Sequence, residues 1–298
     1  MEIINSFKRG KKAHPATGGS FPAFYLHHKG IITVFFIEVG LTYIHVFLMK
    51  TKRTIPQENE ILQRRFYFNL RKDMPLPNAN ESVIKGLSPG NNKTGTTGSL
   101  YKTIFVWNLP PVQTCPGATQ WCSSYCYNLC QESEKYPLKE WQINLWQVEN
   151  VPEKLKAKIN EQLTNASKPC AVRLHSSGDF YSTSYINFWK SIIEENEDVS
   201  FWGYTRSWII KEFIIHFDGL QILSNVNLFA SYDKNMVISP PIEKWRKSIV
   251  CPDLDNLLYS HFTEEYFICP EQLCLTPNCA SCGFCMKKTS KDIIFLLH

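Results

Sequence analysis

Several features that mark specialised classes of protein are scarce in this sequence. Only 20% of its 298 residues are charged and the net charge is +5, so composition alone does not indicate a nucleic-acid partner. The 14 glycines and 17 prolines are too few for a collagen-like or low-complexity chain. No internal repeat of fixed period is present, which excludes a solenoid. The chain is therefore expected to be an ordinary globular protein.

Cysteine and aromatic residues are abundant instead. Hydrophobic residues make up 44% of the chain and aromatic residues 13%, which is enough for a sizeable core in one large fold or in domains of about 150 residues. The 11 cysteines are an odd number, and several stand two or three residues apart. This spacing favours metal ligation over a disulfide framework and predicts a reducing, cytoplasmic location.

An apolar run at 31–49 has the length of a membrane span, and no secretory signal precedes it. Glu38 and His45 interrupt the run, and an acidic residue near the centre of a span costs about 2.5–3.5 kcal/mol. Its β-branched and aromatic residues favour two buried strands. We therefore expect strands here, with membrane contact as the open alternative. A further interpretation is that the functional protein begins at Met49 or Met74.

Composition changes near residue 86 and divides the chain into three regions. Residues 86–99 are rich in Gly, Ser, Thr and Asn, which predicts a loop or linker. The predicted regions are an uncertain basic and apolar N-terminal part at 1–85, a βα core with a cysteine loop at 86–250, and a cysteine-rich C-terminal part at 251–298.

Short β-rich runs in the core alternate with stretches of helical spacing. The runs are TIFVWNL (103–109), CAVRLH (170–175), VSFWGYTRS (199–207) and VNLFASYD (226–233). They predict an α/β fold, either a partial (βα) barrel or an open parallel sheet of about six strands, with a cysteine-rich C-terminal metal-binding extension. In such folds ligands bind at the carboxyl ends of the strands. Cys170 stands alone in an apolar run and is predicted to be a core residue.

The first group of cysteines follows the first of these runs. Cys115, Cys122 and Cys126 have C-x6-C-x3-C spacing, and Cys130 lies four residues further on. Three thiolates can hold a four-iron four-sulfur cluster with one open iron, whereas a fourth thiolate closes the cluster. A closed zinc site with all four cysteines fits the spacing equally well.

The second group of cysteines lies near the C-terminus. Cys279, Cys282 and Cys285 have the C-x2-C-x2-C spacing of bacterial ferredoxins, in which a remote cysteine supplies the fourth ligand. We expect Cys269, which precedes Pro270, to be that ligand. A zinc knuckle is the alternative. The alternative fourth ligands are Cys251 and Cys274.

Polar residues stand at the ends of three predicted strands. The segment 173–179 contains a glycine that permits close backbone approach and an acid that can receive an ammonium group. Arg206 can clamp a carboxylate or phosphate, or pair with Asp179 or Asp233. A turn that caps the following helix would explain each strand end taken alone. Three such polar strand ends together favour a ligand-binding site. The candidate ligand-binding residues are His175, Ser177, Gly178, Asp179, Arg206 and Asp233.

Four motifs in this order resemble one protein family. They are TCPGA (114–118) followed by a Cys-x3-Cys-Tyr pattern, RLHSSGDF (173–180), YTRS (204–207), and a Cys-Pro pair before CASCGFC (279–285). Together they resemble the gene-product-88 family of phage and plasmid proteins, which has no characterised reaction. The resemblance extends over residues 87–288.

The resemblance implies an iron-sulfur protein related to radical S-adenosylmethionine enzymes, although those enzymes typically use C-x3-C-x2-C. By this analogy the first cysteine group holds a reactive cluster, and Ser177, Gly178 and Asp179 receive the methionine amino group. Arg206 and Asp233 then face the same pocket. The C-terminal cysteines carry a second four-iron cluster, closed by four protein ligands, for electron transfer or substrate anchoring.

Two other functions fit the same residues. One is a nucleic-acid-binding module stabilised by zinc, in which the basic segments KRGKK (8–12) and KTKR (50–53) contact phosphate. The other is an iron-sulfur redox or sensor protein with closed clusters and no turnover. An enzyme of the radical class requires an external electron donor, and its substrate is left open, with nucleic acid and nucleotides among the candidates.

Overall fold

The structure, a computed structural model, describes residues 23–28, 31–36, 45–50, 58, 61–62, 64, 84–129, 137–233, 236, 244–251 and 266–297. Cys130 lies outside these residues, so its predicted role as an alternative ligand stays a prediction. The same holds for the boundaries of the three predicted regions and for the basic segment at 8–12.

The described residues form β-strands and α-helices. The strands are β1 (Ala23–His28), β2 (Ile31–Phe36), β3 (His45–Lys50), β4 (Ser88–Pro89), β5 (Thr103–Trp107), β6 (Cys170–Leu174), β7 (Val199–Thr205), β8 (Val226–Tyr232), β9 (Lys247–Cys251), β10 (Tyr266–Ile268) and β11 (Asp292–Leu296). The helices are α1 (Gln120–Tyr125), α2 (Pro137–Asn150), α3 (Pro152–Thr164), α4 (Thr183–Glu195), α5 (Lys211–Gln221) and α6 (Cys279–Cys282). The four β-rich runs predicted in the core contain β5, β6, β7 and β8.

The main sheet has eight strands in the order β10-β11-β9-β8-β7-β6-β5-β4. All neighbours from β5 to β10 pair in parallel, and the two-residue β4 pairs antiparallel with β5. The predicted α/β class is therefore confirmed, and the sheet is open. It has more strands than the six expected because β10 and β11, from the part predicted to be a metal-binding extension, join the same sheet.

The parallel register brings the carboxyl ends of neighbouring strands to one edge of the sheet. Trp107 at the end of β5 pairs with Leu174 at the end of β6, and Leu174 pairs with Gly203 of β7. The loops that follow β5, β6 and β7 therefore begin side by side. The predicted polar residues of these loops are gathered at this edge.

Helices cover one face of the sheet. Helix α4 begins at the capping residue Ser182, whose hydroxyl oxygen accepts a hydrogen bond from the Tyr185 amide at 3.2 Å. Ile186, Trp189 and Ile193 recur at helical spacing and are fully buried in the main core. Each such side chain contributes about 1.5–3 kcal/mol when it leaves water. Cys170 is also buried in this core, as predicted.

The C-terminal cysteine segment covers part of the opposite face. Ala280 and Met286 pack there against Trp202 of β7. The amide of Ala280 donates a hydrogen bond to the carbonyl oxygen of Thr94 at 2.9 Å. The stretch predicted as a loop at 86–99 therefore holds the cysteine segment against the sheet.

The N-terminal strands form a second sheet. Strands β1, β2 and β3 pair antiparallel in that order. The apolar run at 31–49 contains β2 and most of β3, in agreement with the predicted strands. Among the described residues, none of the helices is long and apolar enough to span a membrane.

Candidate metal and cofactor site

The first cysteine loop follows β5 and is held by local hydrogen bonds. The amide of Cys115 donates to the carbonyl oxygen of Val112 at 3.2 Å. Thr119 caps helix α1, where its hydroxyl oxygen accepts from the amide of Cys122 at 3.0 Å. Cys126 lies at the C-terminal end of the same helix. A turn and one short helix thus carry the three predicted ligands.

The three thiols of this loop lie close enough to interact electrostatically. Burial raises the pKa of the Cys115 thiol well above its ordinary value, and the negative charges of Asp179 and the other two thiols raise it further. Burial also raises the pKa of Cys122, while the positive charge of Arg206 lowers it. A bound metal would offset the repulsion between these negatively charged groups. It would also stabilise the thiolates, which are the form that ligates metals. The three thiols are therefore of the chemical type that ligates metals.

The loop after β6 runs directly against the cysteine loop. Gly178 has a φ of +76°, a left-handed conformation that favours glycine. A Cβ atom at Gly178 would lie 2.6 Å from Leu109 Cβ and from Thr114 Oγ1. The amide of Leu109 donates to the carbonyl oxygen of Ser177 at 3.0 Å. The backbone at this glycine therefore lies close to the residues that lead into the cysteine loop.

Asp179 joins the end of β6 to the end of β7. Its Oδ1 accepts from the Phe180 amide at 2.7 Å, and its Oδ2 accepts from the amides of Arg206 at 2.8 Å and Ser207 at 3.2 Å. Burial raises the pKa of this carboxyl group, and the hydrogen bonds that it accepts, including one from the Thr205 side chain, oppose the rise. Asp179 thus holds both loops in place and brings negative charge close to Cys115.

Arg206 and Asp233 form a buried ion pair. Arg206 Nη1 lies 2.6 Å from Asp233 Oδ2, and the Asp233 side chain is fully buried. The same guanidinium nitrogen lies 3.3 Å from the sulfur of Met236. The hydroxyl group of Thr119 also donates to Asp233 Oδ2, at 2.8 Å. Both acids predicted as partners of Arg206 contact it. Asp233 pairs with the Arg206 side chain, and Asp179 accepts a hydrogen bond from the Arg206 amide.

His175 begins the β6 loop in a left-handed conformation with a φ of +61°. Trp107 Nε1 donates to the Tyr185 hydroxyl oxygen at 2.9 Å, and this hydroxyl lies 2.8 Å from His175 Nε2. Burial lowers the pKa of His175 to about 3, so the ring is neutral. The Tyr185 hydroxyl then donates to Nε2, which assigns the ring proton to Nδ1.

Buried polar atoms of the β6 loop lack partners among the described residues. They are Nδ1 of His175, Oγ of Ser176 and Oγ of Ser177. Ser177 is only 2% exposed. Buried polar groups are nearly always hydrogen-bonded in native proteins, so a cluster of unpaired groups is typical of a site that receives water or a ligand. The donor set of this loop therefore fits a polar cofactor.

Sequence reasoning missed the residues that support this loop. Asn108 Oδ1 accepts from the amides of Ser176 at 2.7 Å and Ser177 at 3.1 Å. The Tyr127 hydroxyl and the Asn128 amide nitrogen donate to the carbonyl oxygen of Ser176 at 2.5 and 3.0 Å. Asn108 directly follows β5, and the strand-end pattern used for the other strands could have identified it. No such pattern marks Tyr127 or Asn128.

The second cysteine group lines a small, partly open cavity between the C-terminal segment and the sheet face that lies opposite helices α2 to α5. All four cysteines chosen as ligands line it, namely Cys269, Cys279, Cys282 and Cys285. The alternatives Cys251 and Cys274 are not among its lining residues, and Cys274 is exposed. The structure thus brings the predicted remote cysteine to the other three.

Local turns set the positions of these cysteines. The Asn278 side chain caps α6 by accepting from the Ser281 amide at 2.9 Å. Gly283 ends the helix with a φ of +68°. Because this left-handed residue reverses the chain, Cys285 returns toward the cavity that Cys282 lines.

The thiols of the second group also interact with one another. Burial raises the pKa of Cys279 to about 11 and that of Cys285 to about 12. The negative charges of Cys269 and Cys282 contribute to both shifts. A hydrogen bond with Tyr204 lowers the pKa of Cys285.

Within the described ranges, no group of three or more His, Cys, Asp or Glu side chains is arranged so that it could hold a metal ion. A single zinc ion bound at about 2.3 Å requires its sulfur ligands to lie close together. A four-iron cluster places iron and sulfide ions between its thiolates, which are then further apart.

The fold and the two cysteine groups define an open, mostly parallel α/β protein. One cysteine group lies at the carboxyl edge of the sheet and the other on the face opposite helices α2 to α5. A sequence model for the family described as "Gene product 88" matches residues 82–288, and the chain belongs to this family. It is 27% identical to "Gene 88 protein" of Mycobacterium phage D29 over 72% of this chain and 91% of that protein. It is also 27% identical to "Gene 88 protein" of Mycobacterium phage L5 over 52% of this chain and 64% of that protein. No solved structure matches.

Proposed function

We propose that the protein binds two four-iron four-sulfur clusters and acts as a radical S-adenosylmethionine-like enzyme. The observation that carries the proposal is the grouping of seven cysteines into two sets on one sheet, one at the carboxyl ends of the strands and one around a cavity. The first set is not part of the main core, whereas Cys269, Cys279 and Cys285 of the second set pack against apolar residues of the sheet. The cytoplasmic location, the substrate and the electron donor stay predictions.

The first set is suited to a cluster with one open iron. Cys115, Cys122 and Cys126 would supply three thiolates, which would leave one iron of a four-iron cluster without a protein thiolate and free to bind a cofactor. Arg206 favours the thiolate form of Cys122, as its effect on that pKa indicates. Thr119 ties the helix that carries Cys122 to Asp233.

The β6 loop is the proposed site for S-adenosylmethionine. The Ser177 hydroxyl and His175 Nδ1 lack partners among the described residues, and the carboxylate of Asp179 supplies negative charge for an ammonium group. Gly178 allows the loop to approach the cysteines. Arg206, held by Asp233, is the nearby cation. These residues bind and orient the cofactor, and the buried aromatic residues beneath them exclude water.

When bound, a reduced cluster would supply one electron to the sulfonium of S-adenosylmethionine, and cleavage of an S–C bond would give methionine and a carbon radical able to take a hydrogen atom from the substrate. The external electron donor would restore the electron. The protein holds the methionine group through the β6 loop and keeps the thiolates in position. The second set, closed by Cys269, Cys279, Cys282 and Cys285, would serve electron transfer or substrate anchoring.

The test is metal and sulfide analysis of anaerobically purified full-length protein. We expect about four iron and four sulfide ions per cluster, hence about eight of each per chain. Cys269→Ala should halve both values, whereas Cys274→Ala, the matched control, should leave them unchanged. Zinc without sulfide would contradict the proposal and favour the zinc-stabilised nucleic-acid-binding module.

Replacing Cys130 separates an enzyme from a closed redox or sensor protein. An open first cluster should survive Cys130→Ala and still cleave S-adenosylmethionine to methionine in the presence of dithionite. Loss of half of the iron in this variant would show that Cys130 closes the site, and the sensor alternative would then hold.

A further inference from the structure

Arg173 is a buried cation that forms no ion pair with a carboxylate among the described residues. It lies on β6 on the sheet face opposite the helices, is 8% exposed, and lines the cavity of the second cysteine group. Its Nε atom is buried and has no hydrogen-bond partner among the described residues. Arginine cannot lose its proton in a protein, so this charge persists in the folded state.

The neighbours of Arg173 are thiols and phenols. Its guanidinium carbon lies 5.6 Å from the centre of the Tyr204 ring. Tyr127, Tyr204, Cys279 and Cys285 are the titratable groups that lie close enough to interact with its charge. None is a carboxylate, and each is negative only when it is deprotonated. Buried charges in proteins are normally paired, so the cavity beside Arg173 is suited to an anionic group.

Arg173 also lies between the two cysteine groups. Tyr127 directly follows Cys126 of the first group, and its hydroxyl donates to the carbonyl oxygen of Ser176. Cys279 and Cys285 belong to the second group. Lys93 lines the same cavity but already lies 3.8 Å from Glu271. Both cations line the cavity. Among the described residues, Lys93 has a carboxylate partner and Arg173 has none.

We infer that Arg173 is the charge partner of the metal-ligating thiolates of the C-terminal group and raises the reduction potential of the cluster that they hold. This inference rests on the proposed function, because it requires a cluster in the cavity. Thiolates are present only once metal is bound, and they then supply the negative charge that Arg173 lacks. Reduction adds one electron to the cluster, and a nearby positive charge favours the more negative form.

The test is a dithionite redox titration followed by electron paramagnetic resonance. It uses full-length protein with Cys115, Cys122 and Cys126 replaced by Ala, so that only the C-terminal cluster contributes a signal. In this background, Arg173→Gln should lower the equilibrium constant for reduction at least tenfold, equivalent to 59 mV for one electron. Arg173→Lys keeps the charge and should change the constant less than threefold.

Lys190→Gln is the control. Lys190 lies 3.5 Å from Glu194 on α4, which covers the sheet face opposite the cavity, so its removal should change the constant less than threefold. A full cluster with an unchanged potential in Arg173→Gln would overturn the inference and leave the proposed function intact. Absence of iron and sulfide from the parent protein would overturn the proposed function itself.

The rate of iron release to a ferrous chelator provides a second measurement if the cluster of Arg173→Gln is too labile for a full redox titration. Release should be faster in Arg173→Gln than in Arg173→Lys by at least threefold. Equal release from these two variants would show that charge is not the contribution of Arg173, and the inference would fail.

Discussion

The hydroxyl group of Thr119 donates a hydrogen bond to the carboxylate of Asp233 at 2.8 Å, although 114 positions separate the two residues in the chain. The same hydroxyl oxygen accepts from the Cys122 amide. One side chain therefore caps the helix of the first cysteine loop and attaches that loop to the end of β8. The position of the loop relative to the sheet depends on this contact.

Replacing Thr119 with Val should destabilise the fold. The variant loses a helix cap and a buried hydrogen bond, which together contribute about 1–2 kcal/mol to the free energy of unfolding. Urea unfolding followed by circular dichroism measures the change. Thr119→Ser keeps the hydroxyl group and should stay close to the parent protein. Equal stability of the Val and Ser variants would show that the contact contributes nothing.

Replacing Asp233 with Ala should have a larger effect. It leaves the guanidinium of Arg206 buried without its carboxylate, a change that costs about 3–5 kcal/mol. The control is Glu161→Ala, which breaks the exposed pair between Lys158 and Glu161 at 2.9 Å and should cost at most about 1 kcal/mol. Similar losses in the two variants, measured by urea unfolding, would contradict the account of the buried pair.

The free energy of unfolding should decrease as the pH is lowered, because His175 remains neutral in the folded protein. Its pKa is about 3 in the folded protein, below the ordinary value of about 6.5 that applies to the unfolded chain. The unfolded state therefore takes up a proton below pH 6.5 that the folded state refuses until about pH 3. This stabilisation is complete above pH 6.5 and decreases as the pH falls, by about 2 kcal/mol at pH 5.

The comparison of His175→Gln with the parent protein isolates this contribution. The difference in unfolding free energy between pH 7 and pH 5 should be about 2 kcal/mol smaller in His175→Gln. His216→Gln, on the surface of α5, serves as the control variant. An identical pH dependence in His175→Gln and the parent protein would show that His175 titrates normally.

Replacing Gly178 with Ala should disturb the cysteine loop. The added Cβ would meet Leu109 and Thr114 at 2.6 Å, and the left-handed φ adds strain, so we expect a loss of roughly 2–4 kcal/mol. Gly219→Ala is the matched control, since its Cβ would meet only Lys190 atoms at 3.9 Å. Gly219 lies in the last turn of α5, where that change should stabilise by about 0.5–1 kcal/mol. Iron content should fall only in Gly178→Ala.

Much of the core was predictable because its signals are local. The β-rich runs that contain β5 to β8 end in polar residues, and their hydrophobic patterns are those of parallel strands covered by helices. Cysteine spacing likewise identifies both groups without any knowledge of the fold. Cys269 was chosen from its proline neighbour, and the structure brings it to the same cavity as Cys279, Cys282 and Cys285.

Long-range pairing was not predictable. Strand β11 inserts between β9 and β10, so the strand order at this end does not follow the chain. This arrangement puts the C-terminal cysteines against the sheet instead of in an extension. No local pattern in the sequence predicts the contact between Thr119 and Asp233. None predicts that Arg173 has no carboxylate partner among the described residues. Such contacts depend on the register and order of strands far apart in the sequence.

The most direct test of the central claim is an electron paramagnetic resonance spectrum of the dithionite-reduced, anaerobically purified protein, recorded with and without S-adenosylmethionine. The account predicts signals from reduced four-iron clusters and a change in one of them when the cofactor is added, because only the first cluster has an open iron. The same change should be absent after Cys122→Ala. A protein without such signals, or with signals that S-adenosylmethionine leaves unaltered, would contradict the account.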